Sequence, residues 1–257
     1  MRRPGVFEET RPSDYLMRVA TSSIGKAYKG LAVTELAIRA GHVVLDLGCG
    51  TGADLAAFGE AAGRDGRVIG LDSDQDALRE ARDRTAGQPQ VLLVEGDLHA
   101  IGLPDRSVDR VHTDRVLQHV ADPGAVLGEA RRVLRPGGRA AFAEPDWDTL
   151  IVDYPELPVT RAYTRFVTDR VVRNASIGRQ LVRLATRAGF EIADVTPITA
   201  VWRDLRAADK VLGLKRVTSR AVAAGYLSAR SADEYLDHLE SKPFFASMTL
   251  FIVTATT

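Results

Sequence analysis

A single cysteine, Cys49, and no excess of either charge mark this chain: 34 lysines and arginines stand against 34 aspartates and glutamates in 257 residues. One thiol excludes an internal disulfide, and its place between two glycines suits a small packed side chain rather than a nucleophile. Charge balance argues against a general attraction to nucleic acid or to an anionic membrane surface. No apolar run approaches the roughly 18 residues that span a bilayer. The start, Met1-Arg2-Arg3-Pro4, leads into Glu8, Glu9 and Arg11 instead of the apolar core of a signal peptide. A cytoplasmic protein is expected. Cysteine and histidine clusters with metal-ligand spacing are also missing, so no catalytic metal is expected. Neither internal repeats nor low-complexity segments occur. What remains is small-molecule chemistry in one α/β domain, which 257 residues are long enough to build.

The most informative stretch is Val43-Val44-Leu45-Asp46-Leu47-Gly48-Cys49-Gly50-Thr51-Gly52. An apolar run without polar alternation suits a parallel strand covered on both faces, and three glycines at every second position let the backbone pass a ligand closely. A helix from Leu55 to Ala62 follows, its free N–H groups pointing back to the turn. A second strand, Arg67 to Leu71, ends at Asp72, 20 residues after Gly52, the spacing at which an acid accepts ribose hydroxyls in nucleoside-binding α/β folds. Ser73 and Asp76 form a capping pattern for a helix from Asp74 to Thr85. A third strand, Val91 to Glu95, runs into Gly96-Asp97-Leu98, and a fourth, Val108 to Thr113, into Asp114 and Arg115. Asp122-Pro123 caps a helix to Leu134, and Arg135-Pro136-Gly137-Gly138 turns into a fifth strand, Arg139 to Ala143. The alternation gives a doubly wound parallel sheet with Asp46, Asp72, Asp97, Asp114 and Glu144 along its carboxyl edge.

Flanking segments are helical. Helices are expected from Ser13 to Ala20 and from Gly25 to Ala40, ahead of the first strand, where Tyr15, Arg18 and Tyr28 are candidate lid residues or ordinary packing residues. Beyond residue 144 the pattern predicts helices over Glu156 to Arg173 and Gly178 to Ala188, then a strand from Glu191. Two more helices are expected over Arg206 to Ala224 and Ser231 to Leu239, the latter with Ser231 and Glu234 at capping-box spacing. A last apolar strand, Phe244 to Ala255, completes the sheet. The expected organisation is a lid over 1–40, a cofactor-binding core over 41–145, and cap helices with the last two strands over 146–257.

Leu45-Asp46-Leu47-Gly48-Cys49-Gly50-Thr51-Gly52 resembles motif I of the class I S-adenosylmethionine-dependent methyltransferases. Asp72, Gly96-Asp97-Leu98, Val116-Leu117-Gln118-His119-Val120 and Leu134-Arg135-Pro136-Gly137-Gly138 are similar to the later motifs of the same family. The likeness covers about 41 to 145 and is nearest to the ubiquinone-biosynthesis-type branch that methylates small molecules. It implies a Rossmann-like, seven-stranded α/β sheet, mostly parallel, with an antiparallel last strand inserted between strands five and six, plus a helical cap. It also implies S-adenosylmethionine as cofactor. Glycines 48, 50 and 52 would admit the methionine moiety with Asp46 beneath it, and Asp72 would take the ribose hydroxyls. Asp97 would face the adenine amino group, Ser73 and Leu98 would flank the ring, and Asp114 and Arg115 would border the sulfonium.

In such a site an in-line displacement needs mainly positioning and desolvation, so a general base is optional. His119 is the first choice, since a neutral imidazole accepts a proton near pH 7; the equal alternative is a histidine that orders the loop. Glu144 and Asp146 are second choices, although Glu144 could equally bind a loop amide. Tyr15, Trp147, Tyr163, Arg173 and Asn174 are read as lining an apolar acceptor pocket with a polar mouth. Glu144-Pro145-Asp146-Trp147 follows strand five, where the acid-Pro-Pro-aromatic motif of nucleic-acid amino methyltransferases follows strand four, so base methylation is disfavoured. The arginines after residue 160 read as a solvated helix face rather than an RNA surface. Gly48-Cys49-Gly50-Thr51-Gly52-Ala53 also satisfies Gly-x-Gly-x-x-Ala, which leaves a nicotinamide-dependent oxidoreductase as an alternative. A cyclase or noncatalytic protein that keeps the cofactor site is a further one.

Overall fold

The β-branched and leucyl runs form the strands expected of them, in a computed structural model that describes residues 23–241 and 243–257. The helix expected over 13–20, with Tyr15 and Arg18, lies outside the described residues. The strands are β1 (Val43–Leu47), β2 (Arg67–Asp72), β3 (Val91–Glu95), β4 (Val108–Asp114), β5 (Leu134–Val152), β6 (Glu191–Trp202) and β7 (Ala246–Thr256). They make one seven-stranded sheet in the order β3-β2-β1-β4-β5-β7-β6. β1 pairs in parallel with β2 and β4, and β7 runs antiparallel between β5 and β6. The sheet order reverses between β1 and β4, so the carboxyl ends of these two strands open the crevice in which doubly wound folds bind ligands.

Strand alternation sends side chains to two covered faces. Leu45, Leu47, Val111 and Phe142 pack with Leu127 of α4 (Pro123–Val133) and Leu181 of α6 (Ile177–Arg187) on one face. On the other, Val44 and Val68 pack with Leu36 of α1 (Ser23–Leu36), Phe58 of α2 (Leu55–Ala62) and Leu78 of α3 (Gln75–Arg84). Each large apolar side chain removed from water contributes about 1.5–3 kcal/mol. A separate cluster holds the cap together. Trp147, Leu150 and Met248 from the outer ends of β5 and β7 meet Tyr163 and Phe166 of α5 (Leu157–Phe166) and Leu212 of α7 (Leu205–Leu212). Val217 of α8 (Leu214–Ala223) and Tyr235 of α9 (Ala229–Glu240) complete it.

Several boundaries depart from the sequence expectations, each for a local reason. β5 does not stop at Ala143. Past the last β4 pair, Asp114↔Ala143, only its β7 side remains in the ladder, so the N–H missing at Pro145 breaks no bond to β4 and the strand continues to Val152. The helix expected over 206–224 is two helices, because Gly213 (φ 60°) adopts the left-handed conformation and returns its N–H to Asp209 O at 2.8 Å. α5 widens into a π turn, Val167–Val171, before reaching Arg173. The cap of α3 is Asp74, which accepts from Asp76 N and Ala77 N, rather than the Ser73 pattern. α9 is capped by Ser228, whose hydroxyl accepts from Ser231 N at 3.0 Å, while Glu234 pairs with Arg230 instead of closing a capping box.

Candidate active site

The glycine turn after β1 is fastened to the end of β2 by its own backbone. Gly48 N and Cys49 N both donate to Leu71 O, at 2.7 and 3.1 Å, and Gly52 N donates to Cys49 O. Gly48, Gly50 and Gly52 have φ of 72°, 52° and 75°, a region that a side chain rarely adopts. A Cβ on Gly48 would come within 2.5 Å of Val116, so the turn after β4 closes directly against this glycine. Asp72 completes the arrangement: one carboxylate oxygen accepts from Gly50 N at 2.8 Å and the other from Asp74 N at 2.9 Å. Ser73, beside it, is exposed. Cys49 is buried and burial pushes its thiol up, which leaves it packed and unreactive.

Beneath the turn, Asp46 is buried and bonded to His112 Nδ1 at 2.8 Å, the residue directly across from it on β4. The imidazole lies edge-on to Phe58, with ring centroids 5.0 Å apart. Burial opposes charge on both partners and raises the Asp46 carboxyl, while at His112 the bond to Asp46 outweighs burial and raises the imidazole. At the β3 edge, Asp97 is exposed and accepts from His99 N and Nδ1, bonds that hold its carboxyl below the usual range. His99 Nε2 in turn accepts from Asp122 N, tying the Asp97-Leu98-His99 turn to the start of α4; Leu98 between them is buried.

The strand-four edge is more heavily built than its sequence suggested. Asp114 accepts from Tyr28 OH at 3.1 Å and from Lys29 Nζ at 2.5 Å, both on α1, and Lys29 also donates to Asp54 at 2.6 Å just after the glycine turn. Burial works to raise the Asp114 carboxyl, and Lys29 overrides it, holding the acid low. The same two acids hold the Lys29 ammonium well above its ordinary value against burial. Arg115 follows with φ of 59°, a left-handed conformation that costs a non-glycine residue about 1 kcal/mol or more; its N–H donates to Ala143 O.

Glu144 braces this turn. Its Oε1 accepts from Val116 N at 2.7 Å and Leu117 N at 2.5 Å, and burial pushes its carboxyl up to about 8. Of its two expected roles, proton acceptor and loop-amide partner, these bonds supply the second. Asp146 is corrected: it is buried and clamped by the Arg179 guanidinium through both oxygens. His119 lies exposed in the turn itself, its N–H bonded to Val116 O.

The residues expected to line an acceptor pocket divide. Tyr163 is fully buried in the cap core with its hydroxyl toward Leu212 O at 3.4 Å. Trp147 is 1% exposed and donates Nε1 to Gln118 at 2.8 Å. Both are packed in the cap core: the β5 extension carries Trp147 there, and Tyr163 lies on the buried face of α5. Asn174 donates to Leu117 O and Val120 O, and lines with Arg173, Asp148, Asp169, Ser176 and Gln180 a cavity of about 380 Å³. A second cavity, about 530 Å³, lies at the opposite end of the sheet among Arg64, Arg67 and Arg135, away from the glycine turn. Sequence reasoning missed Lys29 and Asp54. Lys29 pairs with Asp54 over 25 residues and with Asp114 over 85, and no motif joins them. Among the described residues, no helix is long and apolar enough to cross a membrane and no group of three or more ligating side chains could hold a metal ion.

The reversed sheet order, the glycine turn locked to Asp72 and the inserted antiparallel β7 together define a class I methyltransferase fold. Residues 45–142 match the family model described as a methyltransferase domain. An uncharacterised 37.1 kDa protein of transposon Tn4556 from Streptomyces fradiae is 54% identical over 252 residues, covering 97% of this chain and 73% of that protein. Demethylmenaquinone methyltransferase of Staphylococcus aureus is 32% identical over 148 residues, 57% of this chain and 61% of that enzyme. The crystal structure of a SAM-dependent methyltransferase from Aquifex aeolicus superposes with a TM-score of 0.57 at 16% identity, covering 96% of this chain and 99% of that one. Residues 45–142 are thus a methyltransferase domain of the class I, S-adenosylmethionine-dependent type, and a quinone-biosynthesis methyltransferase is among its relatives.

Proposed function

We propose that this chain methylates a small-molecule acceptor, an O, N or C nucleophile, in specialised or cofactor metabolism, and that its cofactor lies against the glycine turn. The observation that carries the reading is the closure of that turn: glycines with positive φ, a Cβ-free surface facing Val116, and Asp72 ordering Gly50. A buried acceptor atom at the same edge, Asp114 Oδ1, has no partner among the described residues, which fits a ligand that brings a donor or a positive charge. Asp72 keeps lone pairs for ribose hydroxyls beyond its two backbone bonds. Leu98 and Ser73 would flank the adenine, with Asp97 at its rim. Arg115 and Asp114 would border the sulfonium. When bound, S-adenosylmethionine supplies an electrophilic methyl group. The chain's own part is to hold the two reactants in line and exclude water.

The acceptor would approach between the Val116–Val120 turn and the cap, where Asn174 fixes the turn and Arg173 stands at the polar cavity. His119, exposed on that turn, is the candidate for taking a proton from the nucleophile. Calorimetric titration tests the cofactor: S-adenosylhomocysteine is expected to bind in the micromolar range and NADH not at all, and the reverse would restore the oxidoreductase reading. Once an acceptor is in hand, His119→Ala is expected to keep the nucleoside affinity and lower kcat about 100-fold. Unchanged turnover would remove His119 from the chemistry.

A further inference from the structure

The links β1–β2, β2–β3 and β4–β5 each carry a helix, but residues 96–107, which join β3 to β4, carry none. A parallel sheet needs cover on both faces, and here a loop supplies it. Leu98 and Ile101 plug the α4 face of the sheet, and Arg132 of α4 pins the loop by donating to Ile101 O at 2.7 Å and to Leu103 O at 2.9 Å. The loop covers less than a helix would. Beside Leu103 it leaves the cavity of about 530 Å³, at the amino ends of β1, β2 and β4. The floor of this cavity is apolar: Val43, Ile69, Leu103 and Val108. Its rim is cationic. Arg67 precedes Ile69 by two residues on β2 and so leaves the sheet on the same face, and Arg64 and Arg135 line the cavity with it.

The neighbouring acids do not cancel this rim. Asp109 accepts from Val43 N and Arg135, both at 2.7 Å, and Asp105 and Glu129 are spent on Arg132. That leaves Asp65 against Arg64 and Arg67, and neither of these arginines makes an ion pair among the described residues. Arg135 gives Asp109 one N–H and keeps the rest of its donor fork. The field extends to His42, just before β1, which burial and then Arg110, Arg39 and Arg135 hold low against Asp109. We propose that this cavity is a second ligand site, separate from the glycine turn, for a small organophosphate: an apolar body on the Val43-Ile69-Leu103-Val108 floor and a dianionic phosphate on Arg64, Arg67 and Arg135. Guanidinium forks match phosphate oxygens two at a time, and the floor rewards a body that inorganic phosphate lacks. A pocket roofed by a pinned loop suits a compact ligand, and a chain with balanced charge offers no extended basic track for a polymer. The glycine turn lies at the other end of β1, so both ligands can be held at once.

Three probes separate the two halves of such a ligand: 1-naphthyl phosphate carries both, inorganic phosphate only the charge, and 1-naphthol only the body. By calorimetry, with S-adenosylhomocysteine present in excess to fill the glycine-turn site, 1-naphthyl phosphate is expected to bind one site about tenfold more tightly than either part. Its affinity is expected to fall several-fold between about 50 and 300 mM salt. In the double variant Arg64→Gln/Arg67→Gln, which alters two exposed side chains, 1-naphthyl phosphate should bind about tenfold more weakly. Affinity for 1-naphthol and for S-adenosylhomocysteine should not change, which also reports that the variant is folded. Absence of 1-naphthyl phosphate binding below about 1 mM overturns the proposal, and so does equal binding by the double variant. A single-stranded RNA oligonucleotide that binds more tightly than 1-naphthyl phosphate and is lost in the same variant overturns the small-ligand assignment in favour of a nucleic-acid surface. Failure of S-adenosylhomocysteine to bind overturns the methyltransferase reading alone, since the double variant still decides this one.

Discussion

The two sides of the sheet's carboxyl edge are built by different rules. On the β1–β3 side, the site residues are neighbours in sequence: Gly48, Gly50 and Gly52 lie within one turn, and Asp72 reaches back only 22 residues to Gly50. On the β4–β7 side, each important contact crosses the chain. Lys29 meets Asp114 over 85 residues, Glu144 meets Val116 over 28, and the cap core gathers residues from 147 to 248. Local contacts leave a signature in a short motif; contacts over tens of residues depend on which strands happen to neighbour each other. The β1–β3 side is therefore legible in short motifs, while the β4–β7 side had to be seen folded.

Removing a cap core side chain is the strongest test of that division. Tyr163→Ala takes a fully buried aromatic from a cluster with Tyr235, whose ring centroid is 6.0 Å away, and is expected to cost about 3–5 kcal/mol of stability by denaturant unfolding. Nucleoside affinity measured below the melting temperature should stay within about threefold, since no cap residue touches the glycine turn in the described contacts. A large loss of affinity would show that the halves are not separable. In the opposite sense, Gly48→Val puts a β-branched side chain at φ 72° against Val116, and S-adenosylhomocysteine affinity is expected to fall at least about 100-fold, roughly 2.7 kcal/mol. The cap's near-ultraviolet circular dichroism should survive; its loss would place the turn at the root of the whole fold.

The smallest expected effect is at Glu144, where the halves meet. Its carboxyl is raised by burial from an ordinary 4.5 to about 8, even though two backbone N–H groups favour its charged form. A carboxyl with a higher pKa folded than unfolded gives its full stability below the unfolded value. That contribution is then lost as pH rises through about 8. Glu144→Gln keeps an oxygen for Val116 N and Leu117 N but cannot ionise. Unfolding free energy should therefore fall less steeply between pH 5 and pH 8 in Glu144→Gln than in the unaltered protein. Equal slopes would mean that Glu144 is already ionised in its brace.

Where the sequence misled, one structural cause recurs. Glu144-Pro145-Asp146-Trp147 reads as the end of β5 because proline and two acids rarely continue a strand, and from that came the assignment of Glu144 and Asp146 to proton transfer and of Trp147 to an open pocket. The strand continues because β7 supplies a partner on one side after β4 has ended. Asp146 then falls opposite Arg179, and Trp147 falls under the cap. Tyr163 differs from its sequence reading for another reason: helical spacing gives the apolar face of α5 but not what covers it. By contrast Asp46, Asp114 and the glycines were placed correctly at the strand edge, since strand ends and glycine spacing are set by residues close in the chain.

By itself the sequence determined the strands, their doubly wound order and the family, because apolar periodicity, positive-φ glycines and an acid at a fixed spacing act over a few residues. Tertiary structure alone decided which acid is a brace, which is an ion pair and which keeps an open oxygen. Asp46, Asp114, Glu144 and Asp146 are all acids at the same strand edge, and their chemistry differs only in what burial and distant partners place against them: His112, Lys29, the Val116 and Leu117 amides, and Arg179.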